Sequence, residues 1–239
     1  MATLLWSVLA YVALGCFALG HLWRWRHDRF GWTTFRTPLV RNRVLRLGSP
    51  LVHVGMVAVI AGHMLGLLVP SRWTAAAGVT DRAYHVISVT AGTLAGSAML
   101  AGLVLLVARR VVLGPIRRTT TVMDVVMYAM LGLVVVLGIL ATVGVNVLGA
   151  QHDYRQTVAV WFRGLFLLRS DPTLMAGAPL LFQVHTAAAL GLLAIWPFTR
   201  LVHAWAVPIG LLWQPASRSN PTTIVDGDRD EALSDRRGL

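Results

Sequence analysis

Residues 51–69 read LVHVGMVAVIAGHMLGLLV. No acid and no arginine interrupts this run, and it has the length of a bilayer-crossing helix, about 20 residues. Four further runs of the same kind lie outward from it: Thr3–Trp23, Tyr84–Ala108, Val122–Leu148 and Leu180–Trp205. Pro197 and Arg200 disturb the end of the last. Proline is tolerated in a membrane helix when neighbours satisfy the freed carbonyl, so a kink is expected there and a helix end by Pro208. Gly92, Gly96 and Gly102 let helices approach closely. The chain reads as an all-α membrane protein, a five-transmembrane-helix bundle over residues 1–213. A polar, mobile cytoplasmic tail without assigned chemistry is expected over 214–239.

Composition agrees. Of 239 residues, 56% are hydrophobic and 13% charged, with a mean hydropathy of +0.66. A soluble domain carries about 25% charged residues, so a soluble enzyme is excluded. The net charge of +11 leaves nucleic-acid binding to consider. Every basic residue is arginine, and the arginines sort by loop. Arg24, Arg26, Arg29, Arg36, Arg41, Arg43 and Arg46 follow the first span, and Arg109, Arg110, Arg117 and Arg118 follow the third. The loop after the second span holds only Arg72 and Arg82, and the longer one after the fourth holds Arg155, Arg163 and Arg169. Positive loops stay in the cytoplasm. The N-terminus is therefore expected outside and the C-terminus in the cytoplasm. The charge is a topology signal, with attraction to anionic membrane lipid secondary, and no nucleic-acid partner is needed.

Cys16 is the single cysteine. It excludes an intrachain disulfide, a cysteine-based zinc site and covalent haem attachment. No basic segment precedes the first run, so no cleavable signal peptide is expected.

Four histidines fall within or at the edges of spans, where an unpaired imidazole is costly. His53 lies near the inner start of the second span and His63 near its outer end. His185 lies near the outer start of the fifth, and His203 at its inner end. The two spans run antiparallel, so the depths pair His63 with His185 and His53 with His203. As straight helices the steps differ: ten residues rise about 15 Å and eighteen about 27 Å. Three readings stay open. Membrane histidines hydrogen-bond helices together, a transporter would gather them at one depth near the midplane, and histidine is an axial ligand of haem iron. Two matched depths favour non-covalent haem. His21, His27 and His152 carry no assigned role.

Three stretches carry a family likeness: His53-Val-Gly55 with Gly62-His63, Gly66 and Pro70; Arg118-Thr-Thr-Thr121 with Asp124; and Pro197-Phe-Thr-Arg-Leu-Val-His203-Ala-Trp205-Ala-Val-Pro208. On these the chain resembles the gamma subunit of respiratory nitrate reductase, a membrane cytochrome b. The resemblance runs from the first span to Pro208. It implies a multi-pass protein of the bacterial inner membrane with two haem b groups, the outer on His63 and His185 and the inner on His53 and His203. It further implies that menaquinol or ubiquinol is oxidised beside the outer haem. Electrons then reach iron–sulfur (beta) and molybdenum (alpha) subunits on the cytoplasmic face, and the chain itself does not reduce nitrate. Arg109, Arg110 and Arg118 lie where inner-haem propionates would emerge, although positive-inside placement is the stronger account of any one of them. The family commonly has a lysine at the outer start of the third span, and this chain has none. His85, Tyr84 and Arg82 stand there as quinol-site candidates, His85 first because imidazole takes a proton near neutrality. Gly66 lies at a similar depth. The other readings are a cytochrome b anchor of a different oxidoreductase, or a haem-free transporter or scaffold.

Overall fold

Hydrocarbon offers no partner to a backbone N–H or C=O, so apolar runs of this length must pair their own backbone as helix. The computed structural model describes residues 2–27, 43–149 and 151–203. Among them five helices are long and apolar enough to cross a membrane: Leu4–His27, Arg43–Leu68, Asp81–Val112, Val122–Val145 and Leu180–Phe198. No strand occurs among the described residues. The expected tail over 214–239 and the helix end by Pro208 lie outside them.

In chain order the α-helices are α1 (Leu9–His27), α2 (Arg43–His63), α3 (Ser71–Ala76), α4 (Asp81–Val112), α5 (Gly114–Arg118), α6 (Val122–Leu140), α7 (Val158–Phe166), α8 (Pro172–Ala176) and α9 (Leu180–Ile195). Single π-turns open the first span and close the second and fourth.

Span limits move where the apolar run and the hydrogen-bonded helix part company. The second helix starts at Arg43, not Leu51, and carries Pro50 inside it. The third runs from Asp81 to Val112, not Tyr84 to Ala108. Its start is fixed by a cap, the Thr80 hydroxyl accepting from Ala83 N at 3.2 Å. At 32 residues α4 is about 48 Å long, which exceeds the hydrocarbon core of about 30 Å. The first span closes at His27 and the fourth at Val145.

The fifth span departs most. Its α-helix ends at Ile195, and two 3₁₀ turns, Trp196–Phe198 and Arg200–Val202, follow. Between them Thr199 is extended, with φ −106° and ψ 175°. Pro197 has no N–H to continue the ladder. The eighteen residues from His185 to His203 are thus not one straight helix, and the 27 Å rise no longer applies.

Packing follows the small residues. A Cβ on Gly55 would fall 2.8 Å from Met99 N, and one on Gly102 2.7 Å from Val52 N. Backbone meets backbone there, which locks α2 to α4. Val52, Met56, Met99, Met127, Leu131 and Leu192 build the core shared by α2, α4, α6 and α9. A second cluster joins Trp6 and Ala10 of the first span to Trp161 and Leu165 of α7, Met175 of α8 and Leu190 of α9. Val54, Leu65, Leu94 and Val104 point outward and are exposed, as lipid-facing positions are.

Candidate functional site

The four span histidines meet in two pairs. His53 and His203 have ring centres 5.9 Å apart with planes at 63°. His63 and His185 lie 6.0 Å apart at 35°. Each pair takes one ring from α2; the other comes from α9 for His185 and from the end of the 3₁₀ turn beyond the fifth span for His203, and the pairs stand about 15 Å apart along α2. His63 and His185 mark the end that carries Gly66, and His53 and His203 mark the end that carries Arg110.

Every one of these rings points Nδ1 at a backbone carbonyl. His53 reaches Ser49 O at 2.7 Å, His63 reaches Val59 O at 2.8 Å, and His185 reaches Val134 O at 3.1 Å. His203 reaches Arg200 O. A carbonyl only accepts, so Nδ1 holds a proton, and in a neutral ring Nε2 then keeps its lone pair. Ligating histidines are oriented in this way. His21 and His27 make the same bond, to Phe17 O and Trp23 O, so the bond alone does not mark a site. The facing partner does. Two imidazoles across one metal ion, each bonded at about 2 Å, place their centres about 6 Å apart. Among the described residues no three or more His, Cys, Asp or Glu gather to hold an ion. Each pair could supply two ligands, and a metal seated there would have to bring the rest.

Local packing sets each ring. Gly138 leaves room for His185, because a Cβ there would fall 3.0 Å from Cε1 of that ring. At the other end, Arg24 of α1 donates to Pro197 O at 2.8 Å and to Thr199 O at 3.4 Å. It thereby satisfies carbonyls freed where α9 stops.

Beyond the His63 pair lies a polar cluster. Gly66 is buried beneath Tyr154, whose hydroxyl would lie 2.5 Å from a Cβ on Gly66. The Tyr154 and Tyr84 hydroxyls share a hydrogen bond at 3.1 Å. Arg155 stacks over the Tyr84 ring, its guanidinium carbon 3.9 Å from the centroid. It also pairs with Asp81 at 3.5 Å and donates to Thr74. Burial, reinforced by the bond to Tyr84, pushes the Tyr154 hydroxyl above the usual tyrosine range. Tyr154 is therefore neutral and acts as a hydrogen-bonding group.

Against known proteins, the family model for the nitrate reductase gamma subunit matches residues 2–219. The chain belongs to the nitrate reductase gamma subunit family. The nitrate reductase gamma chain of Bacillus subtilis is 37% identical over 209 residues, covering 87% of this chain and 93% of that protein. Respiratory nitrate reductase 1 gamma chain of Escherichia coli is 25% identical over 207 residues, covering 86% and 91%. Nitrate reductase-like protein NarX of Mycobacterium tuberculosis is 48% identical over 216 residues, 90% of this chain. This chain spans 33% of NarX.

The other residues singled out in this gamma-family chain fall in different places. Tyr84 and Gly66 join through Tyr154. Arg82, two residues from Tyr84 and so about 200° round the helix, instead lines an open groove with Thr80, Val86 and Ile87. His85 is half-buried, and its carbonyl accepts from the Ser88 hydroxyl at 3.0 Å. Arg110 is committed to Asp124 at 3.2 Å and to Thr120 at 2.9 Å. Arg118 is exposed on α5, and Arg109 lies in the last turn of α4. Sequence reasoning missed Tyr154, Arg155 and Gly138. The first two sit in a connecting segment without periodicity, and a glycine in an apolar span carries no sign of what it faces.

Proposed function

We propose that this gamma-family chain is a quinol-oxidising, dihaem b-type cytochrome. It carries electrons across the bacterial inner membrane to iron–sulfur and molybdenum subunits of a nitrate reductase. The observation that carries the reading is the spacing of two histidine pairs, 5.9 and 6.0 Å between ring centres, at opposite ends of one helix pair. A metal centre that takes two imidazoles and no other protein ligand suits haem, which brings its remaining ligands with it. His63 and His185 would hold the outer group, and His53 and His203 the inner one. When bound, the two haems supply one-electron carriage over the thickness of the membrane.

The chain's own residues do the rest. Oxidation of a quinol releases two electrons and two protons. Tyr154 and Tyr84 offer hydroxyls at the buried Gly66, the Tyr154 hydroxyl filling the space a side chain there would take, and His85 lies next along α4 as a proton acceptor. Arginine on the inner loops orients the bundle, so these protons leave on the outer side.

The test is reduction of the full chain in membranes by duroquinol, followed in the b-type absorption region. The reading expects b-type bands that duroquinol reduces and nitrate reoxidises when the partner subunits are present. Membranes rich in the chain but without a b-type band would defeat it.

A further inference from the structure

His203 follows a 3₁₀ turn, whereas the other three ligand candidates stand on α2 and α9. Pro197 ends α9 six residues earlier, and His203 closes a three-residue 3₁₀ turn, Arg200–Val202. Such turns are short and weakly held on their own. The turn must be held from outside: Arg24 reaches the carbonyls that lead into it, and Asp124 reaches Arg200 within it.

Asp124 is 2% exposed, in the first turn of α6. Its Oδ1 lies 2.6 Å from Arg200 Nε, and its Oδ2 lies 3.2 Å from Arg110 Nη1 of α4. The same Oδ2 accepts from Thr121 N at 3.0 Å, while Asp124 N donates to the Thr121 hydroxyl at 3.2 Å. One carboxylate thus ties α4, α6 and the turn after α9. The chain of contact is short. Asp124 holds the Arg200 side chain, and the Arg200 carbonyl accepts the Nδ1 proton of His203. Two guanidiniums against one carboxylate leave the triad itself with one net positive charge. A buried carboxylate is costly unless it is paired and hydrogen-bonded, and both oxygens of Asp124 have partners.

We propose that Asp124 is the positioning residue of the inner histidine pair: it fixes the orientation of His203 through Arg200 and sets the charge seen by the inner haem. This rests on the dihaem reading above. Charge and hydrogen bonding near an iron ligand tune its reduction potential. Loss of a nearby negative charge favours the reduced form and raises that potential.

The test compares Asp124→Asn, Asp124→Glu and Arg200→Gln in the full chain in its native membranes. Redox titration and electron paramagnetic resonance of the ferric haems are the readouts. Asparagine keeps an oxygen for Thr121 N and removes the charge. Asp124→Asn is expected to raise the inner-haem potential and move its low-field g value, with the outer haem unchanged, and Asp124→Glu to restore part of the shift. Loss of the inner resonance alone counts equally for the proposal. Both resonances unmoved in Asp124→Asn and in Arg200→Gln, or both haems displaced equally, overturns it. The dihaem reading fails separately, on the unsubstituted chain, if that shows no ferric haem resonance.

Discussion

A Cβ placed on Gly138 of α6 falls 3.0 Å from Cε1 of His185 on α9, whose Nδ1 meets the Val134 carbonyl 3.1 Å away. Span four is therefore the seat of His185, and the absence of a side chain at 138 is what lets the ring turn toward His63. A branched side chain at 138 must push the ring aside. Gly138→Val is expected to cost the outer haem and keep the inner, so that pyridine haemochrome analysis falls from two haems per chain to one. A variant that retains both would show that the ring has another place to stand.

The two pairs share α2 but not their mounting, so they are separable. His203→Ala is expected to remove the inner haem only. Duroquinol then still reduces the remaining b-type band, while nitrate-dependent reoxidation stops. Loss of both haems from this single change would contradict the pairing.

Tyr154 is held by burial and by Tyr84 in its protonated form. A group whose folded pKa is raised contributes fully below its unfolded value, about 10 for tyrosine, and is lost only above it. Tyr154→Phe is thus expected to lower duroquinol turnover by a similar factor at every value between about pH 6 and pH 9. Haem content should not change. A displaced limb in the pH profile would make Tyr154 a titrating base and contradict the assignment.

Trp161 of α7 is 1% exposed, donates Nε1–H to Trp6 O at 2.7 Å and meets the Trp6 ring edge-on at 6.0 Å. It fastens the segment between spans four and five to span one. Trp161→Ala is expected to destabilise the detergent-solubilised chain by about 3–5 kcal/mol. Trp161→Phe keeps most of the packing but leaves the Trp6 carbonyl without this donor, at a cost of about 1 kcal/mol. Thermal unfolding followed by circular dichroism measures both. Equal stability of the alanine variant would mean that α7 is not part of the core.

The five spans were legible in the sequence because length and apolarity alone decide them, and the histidine pairs because antiparallel spans match depths. What was not legible had physical causes. Residues 51–69 end at Pro50, yet the helix continues to Arg43, because one proline removes one hydrogen bond and does not forbid a helix whose neighbours support it. The rise of an ideal helix put His203 too far from His185 to match the step on α2; the helix breaks at Pro197 and Thr199, so that straight-helix rise does not describe the segment. Tyr154 and Arg155 come to Gly66 and Tyr84 only through the folding of a long connecting segment, which no local pattern reveals. Asp124 was visible as part of a motif, but its partners Arg110 and Arg200 are distant in sequence.

On the function proposed here each histidine pair holds one haem. The direct measurement is the haem-to-protein ratio of the purified full chain, together with a redox titration of its b-type bands. Two haems per chain, titrating as two components of distinct potential, is the predicted result. A ratio near zero, or a single haem that survives replacement of either pair, would contradict it.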